Sequence, residues 1–362
     1  MTTKKCRIYA AFGVSQTPNK SDVMKGGKPN MKIVSGLGSI DEYIPFVKAG
    51  ADEFFCGYVP LEWSRKYGTI GPLNRREVMN YNVQVGSLEE LKILKNMMDC
   101  YGVPVKLTLN SLYYSGTQYP EIAQYVERCM QIGFSTFIIA DPALILYLRQ
   151  QNIPCRIHLS GECAEINSIF LEHMEAFDIQ RVIFHRKNSI ADMHSCVVKC
   201  KGKIPEYEAF FLNELCHFTG AYCNSLHCDE FAHLCHVPYE LGKYDADRGI
   251  TGEQAVSEEE KIPIPEEDGY VTGATGCGLC ALYDLADAGI THLKIVGRGN
   301  YTEYAGKDIM QTKRALTIRE EVKEHFGDKT DKGRAAYIER IRKELFTHGC
   351  MENCYYQGEK SI

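Results

Sequence analysis

The chain has 362 residues, 44% of them apolar and 24% charged, with a net charge of −6 at pH 7 and sixteen cysteines. This is the composition of an ordinary globular protein with ample material for one large core. It speaks against a membrane span, because no apolar run approaches the ~20 residues required. It also speaks against a nucleic-acid partner, because no Lys/Arg block is longer than two residues. The start, Met1-Thr2-Thr3-Lys4-Lys5-Cys6, carries two positive charges with no apolar segment behind them, so no secretory leader is expected. A cytoplasmic protein is expected, with its cysteines as thiols and metal ligands rather than disulfides. So many thiols suit a reducing, anaerobic cell.

In chain order, residues 1–30 read as a polar N-terminal segment. A strand at 32–34 leads to a helix at 39–48, which opens on Ser39 and stops at Gly50. A second strand, 53–56, is followed by a long connection at 58–84 that carries Trp63, the only tryptophan. A Ser-capped helix at 87–100 stops at Gly102, and strands follow at 105–109, 136–140, 155–159, 181–185 and 208–212. Between them a helix at 120–132 ends at Gly133. A cysteine-rich segment covers 213–280, a helix at 282–288 ends at Gly289, and the eighth strand is 293–296. Two helical patterns, 307–325 and 332–346, form a C-terminal extension over 302–362. Strands alternating with helices imply parallel βαβ units. Eight of them predict an α/β fold, a TIM-barrel-like (β/α)8 domain over 31–301. The alternative is an open doubly wound sheet, weakened by the lack of a Gly-x-Gly-x-x-Gly turn after an early strand.

The chemistry is expected in the cysteines. Cys216 and Cys223 form one pair and Cys277 and Cys280 another, with Cys228 and Cys235 between them. Thiolates spaced three to seven apart on Gly-bearing loops suit an iron–sulfur cluster or a soft metal. Zinc is the rival, because His217, His227, His233 and His236 are interleaved with these cysteines, although the spacing matches no standard finger. Unligated thiols are the bland reading. Cys196/Cys200 and Cys350/Cys354 are each four apart, a spacing that arises readily without function. Cys56 and Cys163 sit near strand ends, where burial as small hydrophobes is the simplest account.

Several segments resemble the U32 peptidase-type (collagenase-like) family. They are Gly38-Ser39-Ile40-Asp41-Glu42 with Lys48-Ala49-Gly50-Ala51-Asp52-Glu53, Leu107-Thr108-Leu109-Asn110-Ser111-Leu112, and Ile139-Ala140-Asp141-Pro142-Ala143. Most specific are the stretch from Glu208 through Cys216 to Thr219-Gly220-Ala221-Tyr222-Cys223, and the stretch from Leu279-Cys280 to Ile295-Val296-Gly297-Arg298. The resemblance covers roughly residues 33–300. It implies a barrel holding a 4Fe-4S cluster, with Cys216, Cys223 and Cys280 matching three ligands. Cys235-His236-Val237-Pro238-Tyr239 fits the end of the segment that carries the remaining ligand, but the earlier cysteine of that segment is absent. Cys235 is therefore the choice and Cys228 the alternative; Cys277, Cys350 and Cys354 lie outside the family pattern. Family members include oxygen-independent hydroxylases of ubiquinone precursors, transfer RNA or ribosomal RNA, with prephenate as oxygen source. Others are described as peptidases.

Barrel chemistry is placed at the C-terminal ends of strands. Those positions are Asn110, Asp141, His158 with Ser160 and Glu162, His185 with Arg186, Asn213 with Glu214, and Arg298. Arg186 and Arg298 are the natural anion clamps, since guanidinium grips carboxylate with two parallel bonds. Asn110 and Asp141 complete the substrate-binding set, and His158 and Glu162 are the acid/base candidates. The expected activity is 4Fe-4S-dependent, oxygen-independent hydroxylation or related redox chemistry on a small molecule, with a prephenate-like oxygen donor or an electron donor. The alternatives are a U32-type peptidase, an RNA-hydroxylating enzyme, and a non-catalytic cluster-bearing subunit bound to a protein partner through the acidic 237–276 loop. A homo-oligomer is a further expectation. The peptidase alternative lacks a Gly-x-Ser-x-Gly elbow and a His-Glu-x-x-His helix.

Overall fold

The computed structural model describes residues 31–68, 71–75, 84–163, 166–216, 223, 243–245, 249–251, 266 and 268–356. The predicted segment 1–30, Cys228, Cys235, the four interleaved histidines and the acidic run 258–260 lie outside them.

Eight parallel strands close into a barrel: β1 Lys32–Gly36, β2 Glu53–Cys56, β3 Val105–Leu109, β4 Thr136–Ile139, β5 Arg156–Leu159, β6 Ile179–Ile183, β7 Glu206–Leu212 and β10 His292–Ile295. Between β7 and β10 a two-stranded antiparallel ribbon pairs β8 Lys243–Asp245 with β9 Gly249–Thr251. The barrel order is β1-β10-β7-β6-β5-β4-β3-β2, and β1 closes it by pairing with both neighbours, Val34 opposite Glu53 on one side and Lys294 on the other. All eight predicted strands are present, and closure overturns the open-sheet alternative. These strands show no alternation of apolar with polar residues because strands covered on both faces have no solvent side; every residue of β2, β3 and β10 is buried, Glu53, Lys106 and Lys294 included.

The outer helices are α1 Tyr43–Ala49, α2 Leu61–Tyr67, α3 Leu88–Tyr101, α4 Tyr119–Ile132, α5 Pro142–Gln150, α6 Ser168–Met174, α7 Ile190–Lys199 and α8 Leu282–Asp287. Ser87 and Glu90 form a reciprocal capping box on α3, which ends at Gly102 with φ 74°, as the sequence suggests. Ser39 differs. It makes no side-chain cap, and the Glu42 carboxylate instead accepts the Gly38 N–H at 2.7 Å, so a short 3-10 turn precedes α1. The long connection holds α2, whose Trp63 is buried and donates to the Gly71 carbonyl at 2.9 Å. α9 Thr302–Phe326 packs on α1, α8 and β1, within the ring of barrel helices, and α10 Asp331–Leu345 packs on α9. Among the described residues no helix is long and apolar enough to cross a membrane.

The lower half of the barrel interior is charged. Arg181, 1% exposed, donates to Glu53 and Glu208 at 2.8 Å and to Glu206 at 2.7 Å, and lies 2.8 Å from His292 Nε2. Lys106 pairs with Glu53, and Lys294 donates to Glu208 at 2.9 Å. Burial would raise the Glu53 carboxyl, but a hydrogen bond from His292 and the charges of Lys106 and Arg181 hold it far below the usual carboxylate range. Glu208 is held at about 2: burial acts upward on it, and Lys294, Arg181 and His292 outweigh that. Side chains that alternate into a barrel must fill it. Here they fill it with opposite charges in contact.

Candidate active site at the barrel mouth

Above this charged layer, the C-terminal ends of the strands form a cavity of about 70 Å³. That is space for a few waters. Its floor is Phe55, Thr108, Ile138, Ile183, Phe210 and Lys294, and its walls include Arg75, Asn110, Ser160, Glu162, Arg186, Glu214 and Arg298. Glu162 stands between two guanidinium groups, Arg75 at 2.7 Å and Arg186 at 3.1 Å, all three side chains under 10% exposed. Burial pushes the Glu162 carboxyl up, but Arg75, Arg186 and His185 outweigh it and hold it below its usual range. Glu162 is therefore a carboxylate at neutral pH, a weaker base than an ordinary one, and its charge holds the two guanidiniums.

Arg186 sits over the Phe210 ring, its guanidinium carbon 4.1 Å from the centroid, and among the described residues its buried Nε has no hydrogen-bond partner. Arg298 reaches across the strand ends to Asn74 Oδ1 at 3.2 Å and Thr108 Oγ1 at 3.4 Å. Gly57 makes that reach possible: a Cβ there would stand 2.6 Å from Arg298 Nη1. On the floor, Lys294 Nζ sits 3.8 Å above the Phe55 ring. Burial pushes its amine down, and Glu208 works against that shift.

Asn110, Glu162, Arg186 and Arg298 thus meet at one cavity, as the sequence suggests. Two other candidates are engaged elsewhere. Asp141 caps α5 by accepting the Ala143 N–H at 2.8 Å, and it also accepts from Tyr114 N and Tyr119 Oη, at 3.1 and 3.0 Å. His158 is absent from the cavity lining. It is buried among the interior ions, where burial first, and then the positive charges of Arg181 and Lys106, push its imidazole well below its ordinary value. The sequence reading did not single out Arg75, which lies in the long connection, or Lys294, which reads as an ordinary strand residue.

The chain leaves β7 through two consecutive left-handed residues, Asn213 (φ 67°) and Glu214 (φ 51°). Such strain persists only where surroundings over-determine it. Asn213 donates from its backbone to the Gly276 carbonyl at 2.9 Å and from Nδ2 to buried Asp308 at 2.7 Å, and its carbonyl accepts from Tyr355 Oη. Leu215 N adds a bond to the Thr275 carbonyl at 2.7 Å. The turn sets Glu214 on the cavity wall and delivers the half-buried Cys216 beside it. Cys223 is buried, and its carbonyl accepts from Arg75 Nη2 at 3.1 Å. Cys280, half-buried, follows the 274–278 segment that pairs with the end of β7. Cys56 and Cys163 are pushed up to about 12 by burial and are protonated thiols of the core.

Asp308 supplies a measurable signature of this turn. Burial raises its carboxyl to about 6, against the hydrogen bonds from Asn213 and Tyr270. A carboxyl raised in the folded state binds its proton more tightly there than in the unfolded chain, so stability falls as pH rises from about 4 to about 6. That span corresponds to roughly 3 kcal/mol. Urea unfolding of wild type and Asp308→Asn across this range should give a stability difference that shifts steadily in favour of Asn; a constant difference would refute the assignment.

The fold and mouth together define a (β/α)8 barrel with a cationic, cysteine-flanked cavity. The family model described as Peptidase family U32 matches residues 38–361, and the chain belongs to that family. Among solved structures, the U32 peptidase Mk0906 is 12% identical, with 50% of this chain and 68% of that one covered and a TM-score of 0.39. A native KDPGal structure is 9% identical over 79% and 94% (TM-score 0.38), and 2,3-dimethylmalate lyase is 10% identical over 87% and 91% (TM-score 0.37). No curated protein matches the chain. The barrel assignment rests on the strand order itself.

Proposed function

We propose that the barrel mouth is the active site of a 4Fe-4S-dependent redox enzyme, an oxygen-independent hydroxylase or close relative, acting on a small anionic molecule. The observation that carries this reading is the gathering of Arg75, Arg186, Lys294 and Arg298 around one small cavity, with Cys216 two residues along the chain from the lining residue Glu214. Thiols are the right donors for such a cluster. Cys216, Cys223 and Cys280 lie on three segments near the end of β7 or against the mouth, and Cys235 would be the fourth ligand. Among the described residues no three donors already stand around one point. The cluster would supply one-electron transfer.

The chain's own residues would do the rest. Arg186 and Arg298 bind and orient carboxylates of the substrate or oxygen donor. Glu162 keeps Arg75 and Arg186 in place through its buried carboxylate. Lys294 exchanges a proton at Nζ, since burial brings the amine nearer neutrality. Phe55 and Phe210 give the substrate an apolar floor that excludes water.

Strictly anaerobic purification followed by iron and sulfide counts and EPR before and after dithionite tests this. About four irons and four sulfides per chain with a reducible signal are expected. Cys216→Ala should lose most of that iron, and retention of the full count would sink the ligand assignment. Zinc or no metal would end the redox reading and leave the peptidase one, to be tested by peptide cleavage.

A further inference from the structure

We propose that Lys294 is a nucleophile whose Nζ condenses with the carbonyl carbon of a small oxo acid, forming an imine at the barrel mouth. Imine formation shares the anion-binding mouth with the redox reading above but needs no cluster.

Position singles this lysine out. Lys294 lines the cavity and stands one residue before the end of β10, where barrel chemistry is placed. Lys106, the other buried lysine among the described residues, pairs with Glu53 and does not line the cavity. The Lys294 amine is also poorly solvated for an ammonium, which offers three N–H groups. Among the described residues Glu208 Oε1, at 2.9 Å, is its hydrogen-bond acceptor, and its other near neighbours are the Phe55 and Phe210 rings, with centroids at 3.8 and 5.8 Å. Burial pushes the amine down, Glu208 opposes that shift, and the charges of Arg181 and Arg186 add to it. A lysine desolvated against apolar groups and beside other cations is the arrangement that frees an amine to attack a carbonyl.

The same two rings set the amine between the anion clamps. Phe210 carries the Arg186 guanidinium 4.1 Å from its centroid. Phe55 and Arg298 meet at the end of β1, where a Cβ on Gly36 would stand 3.0 Å from Arg298 Cγ and 3.2 Å from Phe55 Cζ. Each clamp is thus one aromatic ring away from Lys294. The ligand that satisfies clamp and amine together is a carboxylate with a carbonyl beside it. The cavity of about 70 Å³ has room for roughly five to seven waters at ~10–15 Å³ each, which limits the ligand to about as many heavy atoms. Pyruvate and glyoxylate are of that size.

The step balances without a further reactant. Ammonium and carbonyl give a protonated imine and water: the Nζ–C bond forms, the C–O bond breaks, and two ammonium protons leave on that oxygen. The positive charge stays on Nζ, so its pairing with Glu208 survives.

The test incubates the full-length protein with pyruvate, reduces it with sodium borohydride, and maps the product by mass spectrometry. The expected adduct adds the mass of pyruvic acid less one oxygen to the peptide holding Lys294. Acetone, which lacks the carboxylate, should label that peptide about tenfold more slowly, the worth of one hydrogen bond to a charged group. Lactate, which has the carboxylate without the carbonyl, should protect it. Lys294→Arg keeps a cation opposite Glu208 and should lose the adduct, while the acetone and lactate arms use wild type and need no variant to fold. Absence of the adduct at Lys294 overturns the proposal, as does an equal rate with acetone or labelling that lactate leaves unchanged. Iron and sulfide counts on the same sample keep the two readings apart. An adduct without iron removes the cluster reading alone, and iron without an adduct removes this one alone.

Discussion

Arg181→Met should destabilise the protein by about 3–5 kcal/mol, the cost of removing one partner from a buried charge pair. The guanidinium is 1% exposed and binds Glu53, Glu206 and Glu208 at once. Methionine fills similar space but leaves Glu53 and Glu208 with only Lys106, Lys294 and His292 to offset their charge. Urea unfolding at pH 7, followed by circular dichroism, would show the midpoint fall. The acid limb carries a second readout. Glu53 and Glu208 have folded-state values below those of the unfolded chain, so their contribution is present above about pH 4.5 and is lost as pH falls. Without Arg181 those values rise, and acid unfolding should begin at higher pH. A loss under 1 kcal/mol with an unchanged acid limb would mean that the network is not cohesive.

That network also shows where sequence reading stops. The strands were legible because a covered parallel sheet shows as short, mostly apolar runs between turn signals, as at Thr136–Ile139. Glu53, Lys106, Arg181, Glu208 and Lys294 interrupt such runs, and locally each looks like a residue that should meet water. Their partners lie far off in the chain: Arg181 and Glu53 are 128 positions apart. Only closure of the barrel turns these isolated charges into one interior layer. The same closure decides His158, which falls at a strand end in sequence but among the ions in space.

The mouth was half legible. Asn110, Glu162, Arg186 and Arg298 follow from the rule that barrel strands end at the site. Arg75 follows from nothing in the sequence, because a long connection gives no period that would aim one of its residues inward. The left-handed pair Asn213-Glu214 carries no glycine to mark it; the bonds Asn213 donates to Asp308 and Gly276 and accepts from Tyr355 hold it instead. Cys350 and Cys354 read as incidental, and the bridge that ties Cys354 to Cys277 exists only in three dimensions.

Glu162→Gln should bring out the anion-binding character of the mouth. Glutamine keeps the shape of the side chain and removes the charge that neutralises Arg75 and Arg186. Two buried guanidiniums then share one neutral carbonyl, while the Cys223 carbonyl still accepts from Arg75, and the Phe210 ring, Tyr355 and Glu214 still act on Arg186. The expected cost is again about 3–5 kcal/mol at low ionic strength. An external carboxylate can take the vacated role, so succinate should restore stability by about 2.7 kcal/mol at a hundred times its dissociation constant. Wild type should respond less, because Glu162 already holds both guanidiniums. Melting curves of both proteins in succinate, against chloride at equal ionic strength, make the comparison. Should succinate raise the melting temperature of both equally, the mouth has no site tuned to carboxylates, and the arginines serve the fold alone. A selective rescue would instead identify the pocket that a carboxylate-bearing substrate enters, with Glu162 occupying it in the protein at rest.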